Sequence, residues 1–317
     1  MSIELDAPDG IGEVRPGADL AAMIATALEL RDGDVVVVTS KVVSKAEGRL
    51  TDGTRDDALP GETVRVVARR GPVTIVENRL GLVMAAAGID NSNVAPGTVA
   101  LLPADPDGSA RAIRALLRES TGRNVAVVIS DTSGRAWRLG QTDIAIGVAG
   151  LAPLEPFAGR VDAYGNPLAV TEPAVADEIA AAAELAGGKL AGRPLVRVRG
   201  LDDRVLPPGE DGPGARSVVR PREQDLFSLG AREAVVAAVA GDDPGAFGPP
   251  ATAHEVGAAL ARCGLHVGPT DSGLVVDTAH PAAVTRAALV ARAHGWVIEP
   301  GSPTSRLSIP VAANEEP

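Results

Sequence analysis

The chain has 317 residues, of which 45% are apolar and 2% aromatic, and its formal net charge is −11. This composition predicts a globular protein of about two domains. It disfavours nucleic acid as a partner, which would need a basic face and aromatic rings for stacking. The single cysteine, Cys263, excludes intramolecular disulfides and cysteine-based zinc sites. The sequence shows no signal peptide and no apolar run near the ~20 residues of a membrane span, so we expect a cytoplasmic protein without a membrane partner.

Apolar periodicity predicts interleaved helices and strands up to residue 199. A helix at 18–30 is followed by a buried strand at 34–39, and residues 40–48 form a loop or the start of a helix. The remaining predictions are paired strands at 73–77 and 80–86, a helix at 109–119, a strand at 124–130, a helix at 173–186 and a strand at 194–199. This interleaving predicts an α+β or mixed α/β fold.

The last third of the sequence contains two breaks rich in glycine and proline, at 204–224 and 241–250, with a predicted helix between them at 225–240. After the second break the predictions are a helix at 251–263, strands at 264–268 and 273–276, a helix at 281–294 and short terminal strands. We therefore expect two domains, a larger one at 1–240 and a small C-terminal α/β appendage at 241–317.

Two scarce residue types bear on the chemistry. All four histidines lie in the last quarter of the chain, so chemistry upstream of them proceeds without a histidine base, nucleophile or metal ligand. Only three of the 30 basic residues are lysines, namely Lys41, Lys45 and Lys189. Lys41 and Lys45, four residues apart, mark either a solvated face or a site that needs a compact ammonium group near a phosphate.

Two segments place an aspartate after an apolar stretch and follow it with small polar residues. They are Ile89–Asn93, which contains Asp90, and Ser130–Arg135, which contains Asp131. Strand ends in α/β sheets carry ligand-binding loops, and carboxylate, hydroxyl and amide oxygens match the preference of Mg²⁺ or Mn²⁺. Taken alone, each segment is better explained by ordinary turn or helix-capping chemistry.

The combination of these segments with nearby cations and glycines indicates phosphate chemistry. Sites that handle phosphate need a divalent metal, cations and loop amides. Metal would lie at Asp90 and Asp131, and the cations and amides would come from Lys45, Arg135, Arg138 and the loops Gly10–Gly12 and Gly187–Gly188. No complete dinucleotide or P-loop fingerprint is present. The residues by themselves predict nucleotide-dependent group transfer and go no further.

Six ordered segments resemble a known family. They are Thr39–Gly48, Ala87–Val94, Asp105–Ala110, Ile129–Arg135, Gly159–Gly165 and the stretch from Thr171 to Ala180. Over about Asp9 to Gly230, the chain closely resembles the coenzyme F420-0:L-glutamate ligase family, the gamma-glutamyl ligases of deazaflavin biosynthesis. Six blocks in order are far more specific than any single motif.

The resemblance implies a GTP- and divalent-metal-dependent ligase that joins L-glutamate to coenzyme F420-0 and extends the product by gamma linkage. The implied reaction activates a terminal carboxylate as an acyl phosphate, which the glutamate amine then attacks. The resemblance also implies a homodimer with an intertwined α+β fold. The implied metal is Mg²⁺ or Mn²⁺, two per site, with a monovalent cation such as K⁺ as a further candidate. The sequence does not decide whether the nucleotide is GTP or ATP, whether the metal is Mg²⁺ or Mn²⁺, or how many glutamates are added.

Carried over position by position, the resemblance assigns three groups of residues. It places metal at Asp90, Asp131 and Thr132, and it assigns Lys45 and Arg135 to catalysis at the transferred phosphoryl group. It places GTP near Gly10, Ile11, Gly12, Thr39, Ser40, Lys45, Asn93, Gly187 and Gly188.

Two other functions stay open at this point. One is a non-catalytic nucleotide- or deazaflavin-binding protein of the same fold, against which the intact Asp90, Asp131 and Lys45 argue. The other is a flavin-linked reductase acting through the C-terminal appendage. The stretch after residue 240 carries no flavin signature that we identify, and a colourless purified protein would also count against a reductase.

Overall fold

The computed structural model describes residues 2–225, 227–241 and 245–309. Contacts between Cα atoms divide the chain into two compact units, Met1–Val219 and Arg220–Pro317. Both units combine helices and sheets, which confirms the mixed α+β class. Among the described helices, none has the length and apolar character that a membrane crossing requires.

The elements of the first unit follow in chain order. They are β1 (Glu4–Asp6), α1 (Leu20–Ala27), β2 (Val35–Thr39), α2 (Ser40–Ala46), β3 (Leu50–Asp52), α3 (Arg55–Glu62), β4 (Thr63–Arg70), β5 (Val73–Asn78), β6 (Val83–Ala85), β7 (Thr98–Ala100), α4 (Pro106–Thr121), β8 (Ala126–Gly134), β9 (Gln141–Ala149), β10 (Arg160–Val161), β11 (Pro167–Leu168), α5 (Val175–Gly187) and β12 (Leu195–Arg199).

The largest sheet has the strand order β1-β12-β2-β8-β9. The central pair, β2 and β8, is parallel, and the other neighbours are antiparallel. Alternate valines of β2 face opposite cores, because Val36 and Val38 pack in a cluster with α1 and α4 while Val35 and Val37 pack in a cluster with α5. A strand covered by helices on both sides needs a continuous apolar run, which explains the sequence Val35–Val38.

Strand β8 runs further than its apolar residues indicate. The predicted strand ends at Ser130, whereas β8 continues to Gly134 and pairs with β9 over this whole extension. A register shift between Ile129 and Ser130 marks the place where the apolar part passes into the polar part. Asp131 and Thr132 therefore lie in a paired strand, beyond the predicted strand end at Ser130.

A buried arginine fixes α4 to the segment at 206–211. The guanidinium of Arg114 donates to the carbonyl oxygens of Val125, Leu206, Pro207 and Glu210 and to the side chain of Asn124, and it pairs with Asp211 at 2.7 Å. Gly150 packs against this guanidinium so closely that a Cβ atom there would lie 2.2 Å from Arg114 Nε. The cluster therefore requires glycine at 150, where φ is +75°.

The second unit contains a four-stranded antiparallel sheet. Its elements are α6 (Ala231–Ala240), α7 (Ala253–Arg262), β13 (Val267–Thr270), β14 (Gly273–Asp277), α8 (Pro281–Ala293), β15 (Val297–Glu299) and β16 (Thr304–Ser308), with strand order β13-β14-β16-β15. The core joins Leu274 and Val276 of the sheet to α7 and α8. Trp296 is 4% exposed in this core, and its indole nitrogen donates to the carbonyl oxygen of Ala251 at 2.7 Å.

Helix α6 belongs to the second unit, whereas the expected boundary at 240/241 would place it in the first. It packs against α8, and Arg292 of α8 donates to the carbonyl oxygen of Val239 at 2.9 Å. The division between Val219 and Arg220 instead falls in the first of the two glycine- and proline-rich breaks. Hydrophobic periodicity cannot tell to which of two domains a helix belongs. The assignment depends on which domain packs against the buried side of the helix.

Candidate active site

A polar cavity of about 290 Å³ lies in the first unit beside the polar end of β8. Asp131, Thr132 and the two following residues of β8 form one wall, and the turn after β6 with Asp90 forms another. Lys189, just beyond α5, also lines it. The cavity thus brings together the two aspartates that the sequence singled out.

Asp131 is a buried carboxyl group held by the helix that follows the neighbouring strand. Because β2 and β8 are parallel with Thr39 opposite Ser130, the first residue of α2 lies beside Asp131. The hydroxyl of Ser40 donates to Asp131 Oδ1 at 2.5 Å. Burial, together with the charges of Asp143 and Asp90, raises the pKa of Asp131 to about 7 against the opposing effects of Ser40 and Lys41.

Asp143 of β9 holds the hydroxyl groups on either side of Asp131. It lies opposite Thr132 in the ladder, is 4% exposed, and accepts from Ser130 Oγ at 3.0 Å and from Thr132 Oγ1 at 2.7 Å. Because Thr132 donates its proton to Asp143, its oxygen is left to accept, and Lys189 Nζ donates to it at 2.5 Å. Sequence reasoning missed Asp143, since β9 and its register were not predicted.

Asp90 follows a strained turn. Ala86 and Ala87 have left-handed φ angles of 49° and 57°, a conformation that costs a non-glycine residue of order 1–3 kcal/mol. The side chain of Asn78 stabilises this turn by donating to the carbonyl oxygen of Ala87 at 3.3 Å. Beyond the turn, an isolated bridge to Ala100 fixes the backbone of Asp90. The turn and the bridge together position Asp90 at the cavity.

The carboxylate of Asp90 has three donors. The backbone amide of Ser92 donates to Oδ1 at 2.7 Å, and the hydroxyl of Ser92 donates to Oδ2 at 3.0 Å. Lys41 Nζ lies 2.6 Å from Oδ2. Burial opposes ionisation of Asp90, but the hydrogen bonds and the charge of Lys41 outweigh it and hold the pKa of Asp90 below its ordinary value.

Two of the three lysines place their ammonium groups on oxygens of this site, Lys41 at Asp90 and Lys189 at Thr132. Lys45, one helical turn after Lys41, makes no side-chain hydrogen bond or ion pair with any residue that the structure describes. The spacing of the lysines in the sequence drew attention to both, but it could not tell which of them contacts the aspartate.

The other predicted site residues are spread over the first unit. Thr39 and Ser40 lie at the junction of β2 and α2, and Gly187 ends α5 immediately before Gly188 and Lys189. Arg135 is exposed in the turn between β8 and β9, where it donates to the carbonyl oxygen of Leu139 and is followed by Trp137, which is 84% exposed. Of the predicted site residues, Asp90, Asp131 and Thr132 line this cavity. The other ten lie outside its lining, namely Gly10, Ile11, Gly12, Thr39, Ser40, Lys45, Asn93, Arg135, Gly187 and Gly188, and so does Arg138.

The oxygen atoms of the cavity suit a divalent cation. Asp90, Asp131 and Thr132 offer two carboxylates and a hydroxyl, which is the chemistry that Mg²⁺ and Mn²⁺ prefer. Burial raises the pKa of Asp131, and the charges of Asp143 and Asp90 raise it further, so a cation beside this carboxyl group would favour its charged form. No group of three or more His, Cys, Asp or Glu side chains arranged to hold a metal is found among the described residues. A cation here would thus complete its shell with water or substrate oxygens, as Mg²⁺ commonly does.

The first unit also matches known proteins. The sequence profile of the family described as F420-0:Gamma-glutamyl ligase matches residues 10–56 and 57–200, a span that contains the whole cavity. The protein named coenzyme F420:L-glutamate ligase from Methanothermobacter thermautotrophicus is 40% identical over 253 residues, covering 72% of this chain and 99% of its own. The protein of the same name from Methanopyrus kandleri is 42% identical over 237 residues, covering 68% of this chain and 93% of its own.

Proposed function

The chain belongs to the F420-0:gamma-glutamyl ligase family, and we propose that it is an enzyme that joins L-glutamate to coenzyme F420-0 by an amide bond. The observation that carries the proposal is the cavity lined by Asp90, Asp131 and Lys189, with Lys41 paired to Asp90, because this cavity lies inside the segment matched by the family. Paired carboxylates with adjacent cations suit the handling of a phosphorylated intermediate.

We propose GTP as the phosphoryl donor and Mg²⁺ or Mn²⁺ as the metal. Asp90, Asp131 and Thr132 would hold the cation, which when bound would screen charge on the phosphoryl oxygens. The nucleotide would approach over the start of α2 and the turn after α5. These segments supply Thr39, Ser40, Lys45, Gly187 and Gly188, with Gly10, Ile11, Gly12 and Asn93 from the neighbouring loops.

The proposed reaction has two steps. In the first, an oxygen of the acceptor's terminal carboxylate bonds to the γ-phosphorus of the nucleotide, and the bond to the departing diphosphate breaks. In the second, the amine of glutamate bonds to the acyl carbon, the carbon–oxygen bond to phosphate breaks, and one amine proton leaves with the inorganic phosphate. The side chains of Lys45 and Arg135 would neutralise charge on the phosphoryl group, and no side-chain nucleophile is required.

We also propose a homodimer. Its support is an exposed apolar surface on the β10–β11 hairpin and the residues after it, where Val161, Tyr164 and Val170 are 63%, 94% and 93% exposed. Apolar side chains grouped in this way mark protein–protein contacts in soluble proteins. The mass of the native protein in solution tests this part of the proposal.

The experiment that tests the function is a product analysis by mass spectrometry. The purified chain is incubated with coenzyme F420-0, L-glutamate, GTP and either Mg²⁺ or Mn²⁺, and we expect a product heavier by one glutamyl residue or more. Parallel incubations with ATP and without nucleotide test which phosphoryl donor the reaction uses. A further incubation with the Asp90→Asn protein tests whether the reaction depends on the proposed site. Unchanged acceptor under every condition, with a folded protein, contradicts the proposed function.

A further inference from the structure

Lys41 occupies an oxygen that the proposed metal needs. Its ammonium group lies 2.6 Å from Asp90 Oδ2 and donates to Ser92 Oγ at 2.7 Å, and its side chain is 20% exposed. The other Asp90 oxygen already accepts from the amide of Ser92. Lys41 is thus a resident counter-charge for Asp90 and does not belong to a solvated helix face.

An ammonium group on this oxygen competes with a divalent cation for it. Mg²⁺ binds carboxylate oxygens at about 2.0–2.1 Å, and two positive centres that close to one oxygen repel each other strongly. Lysine can withdraw, because its flexible four-carbon stem lets the ammonium move while α2 keeps the backbone in place. Arginine, with a planar guanidinium that binds carboxylates in a fixed fork, would be far harder to displace.

A displaced Lys41 needs another anion. Its helix begins at Ser40, which donates to Asp131, while Lys41 pairs with Asp90, so two successive residues of α2 contact the two aspartates of the cavity. With both carboxylates bound to metal, the anion that enters such a site is the phosphate of the nucleotide. Lys41 would then bind a phosphate oxygen next to the metal.

Resting on the function proposed above, we propose that Lys41 is a cation-exchange residue, which neutralises Asp90 in the metal-free protein and moves to a nucleotide phosphate when metal binds. When metal binds alone, the displaced ammonium group of Lys41 has no second anion to pair with. Metal together with nucleotide gives that group a new partner. Binding of the two is therefore cooperative, and by thermodynamic linkage each raises the affinity for the other by the same factor.

The test compares Mn²⁺ affinity, measured by the electron paramagnetic resonance signal of free Mn²⁺, in protein without nucleotide. Lys41→Met should bind Mn²⁺ at least about fivefold more tightly than the unmodified protein, since the competitor is gone. In saturating Mn²⁺, the same variant should bind a non-hydrolysable GTP analogue at least about fivefold more weakly. Unchanged or weaker Mn²⁺ binding by Lys41→Met overturns the inference.

Two variants keep this result interpretable. Lys45→Met is the matched control, because it removes the same charge one turn further along α2, and an equal gain in Mn²⁺ affinity there would show a general charge effect and overturn the exchange. Asp90→Asn should lose tight Mn²⁺ binding; if it does not, the proposed metal site itself is wrong. Lys41→Gln, which keeps a hydrogen-bond donor without the charge, should repeat the gain if loss of folding obscures the result for Lys41→Met.

Discussion

Asp131 illustrates how a single residue can serve binding at the expense of stability. Its carboxyl group is buried beside two other carboxylates, so that in the absence of metal its charged form is unfavourable. A binding site that is strongly negative and poorly solvated attracts a cation more strongly than an exposed pair of aspartates would. The same feature makes folding, and the proposed metal binding, depend on pH.

Metal affinity should fall as the solution is acidified through the pKa of Asp131. A carboxyl group binds metal only when deprotonated, and the pKa of Asp131 is about 7. Between about pH 8 and about pH 6 we expect Mn²⁺ affinity to fall about tenfold, while the number of protons released per metal bound rises from near zero to near one. Calorimetry in buffers of different ionisation enthalpy measures that number. An affinity that stays constant over this range would remove Asp131 from the metal site.

Asp131→Asn should stabilise the metal-free protein at neutral and higher pH while abolishing ligation. The folded protein keeps the Asp131 proton up to about pH 7, whereas the unfolded chain loses it near the ordinary aspartate pKa of 3.8. The contribution of Asp131 to stability therefore falls as pH rises across this window and stays constant above it. Each pKa unit corresponds to about 1.36 kcal/mol, so the gain could reach a few kcal/mol.

The measurement for Asp131→Asn is the melting temperature at about pH 5 and about pH 8 without metal. The increase over the unmodified protein should be larger at the higher pH. Asp203→Asn, on an exposed carboxylate whose partner Arg204 is 4.0 Å away, is the control and should change little at either pH. A destabilised Asp131→Asn protein at pH 8 would mean that the carboxylate is already compensated.

For single residues, the sequence predicted Asp90 and Asp131 as site residues. It did not predict that Lys41 and Asp143 are their partners. Aspartate followed by serine, asparagine or threonine is visible in a linear pattern, and the family resemblance strengthened it. The contact between Lys41 and Asp90 joins residues far apart in the chain and depends on how α2 is set against the turn after β6. Such a contact is fixed by tertiary packing, so spacing alone could not have selected Lys41 over Lys45.

At the scale of elements, the longer periodic helices and the central buried strands were predicted, whereas α3, β4 and β9 were not. Predicted helices at 109–119 and 173–186 correspond to α4 and α5, and the predicted strand at 34–39 corresponds to β2. Strand β9, in contrast, was not predicted, although it gives the polar end of β8 its partner. The first three residues of β9 are polar and pair across the sheet, which leaves no hydrophobic period in the sequence. The rest of β9, at 144–149, is a mostly buried apolar run that the prediction passed over.

Arg114→Met should destabilise the first unit severely. The substitution keeps an apolar stem but leaves four carbonyl oxygens and Asp211 without the buried guanidinium. Breaking a buried ion pair with its hydrogen bonds typically costs about 3–5 kcal/mol, and we expect a loss of this order in urea unfolding. The rate of amide hydrogen exchange should increase most in the segment 206–211.

The matched control for this prediction is Arg111→Met, three residues earlier on α4. Its guanidinium is half-exposed and lies 3.6 Å from Asp105, so its loss should cost less than about 1 kcal/mol. Equal effects of the two substitutions would show that α4 is sensitive to any loss of charge and that Arg114 is not a specific anchor.

For the whole molecule, the chain ending at Val219 should fold and ligate glutamate without the second unit. The family match lies within residues 10–200, and every residue of the candidate site lies upstream of Val219. Ending the chain at Ala240 instead retains α6 without α8, and Val235, Val236 and Val239 are already more than half exposed. We expect this longer form to self-associate more readily than the shorter one.

Activity and sedimentation of the two shortened proteins test this prediction. A form ending at Val219 that aggregates, beside an active form ending at Ala240, would restore the boundary expected from the sequence. Loss of ligation in both forms would make the second unit a necessary part of the enzyme.

The two tryptophans fall one in each unit, which makes fluorescence selective. Trp296 is buried in the core of the second unit, so its emission maximum should lie at short wavelength until that core unfolds. Trp137 is exposed to solvent in the first unit, so its emission maximum should already lie at long wavelength in the folded protein. A red shift on heating or in denaturant would therefore follow the second unit almost alone. Circular dichroism follows the helices of both units, so a difference between the two curves would reveal directly whether the units melt together or one after the other.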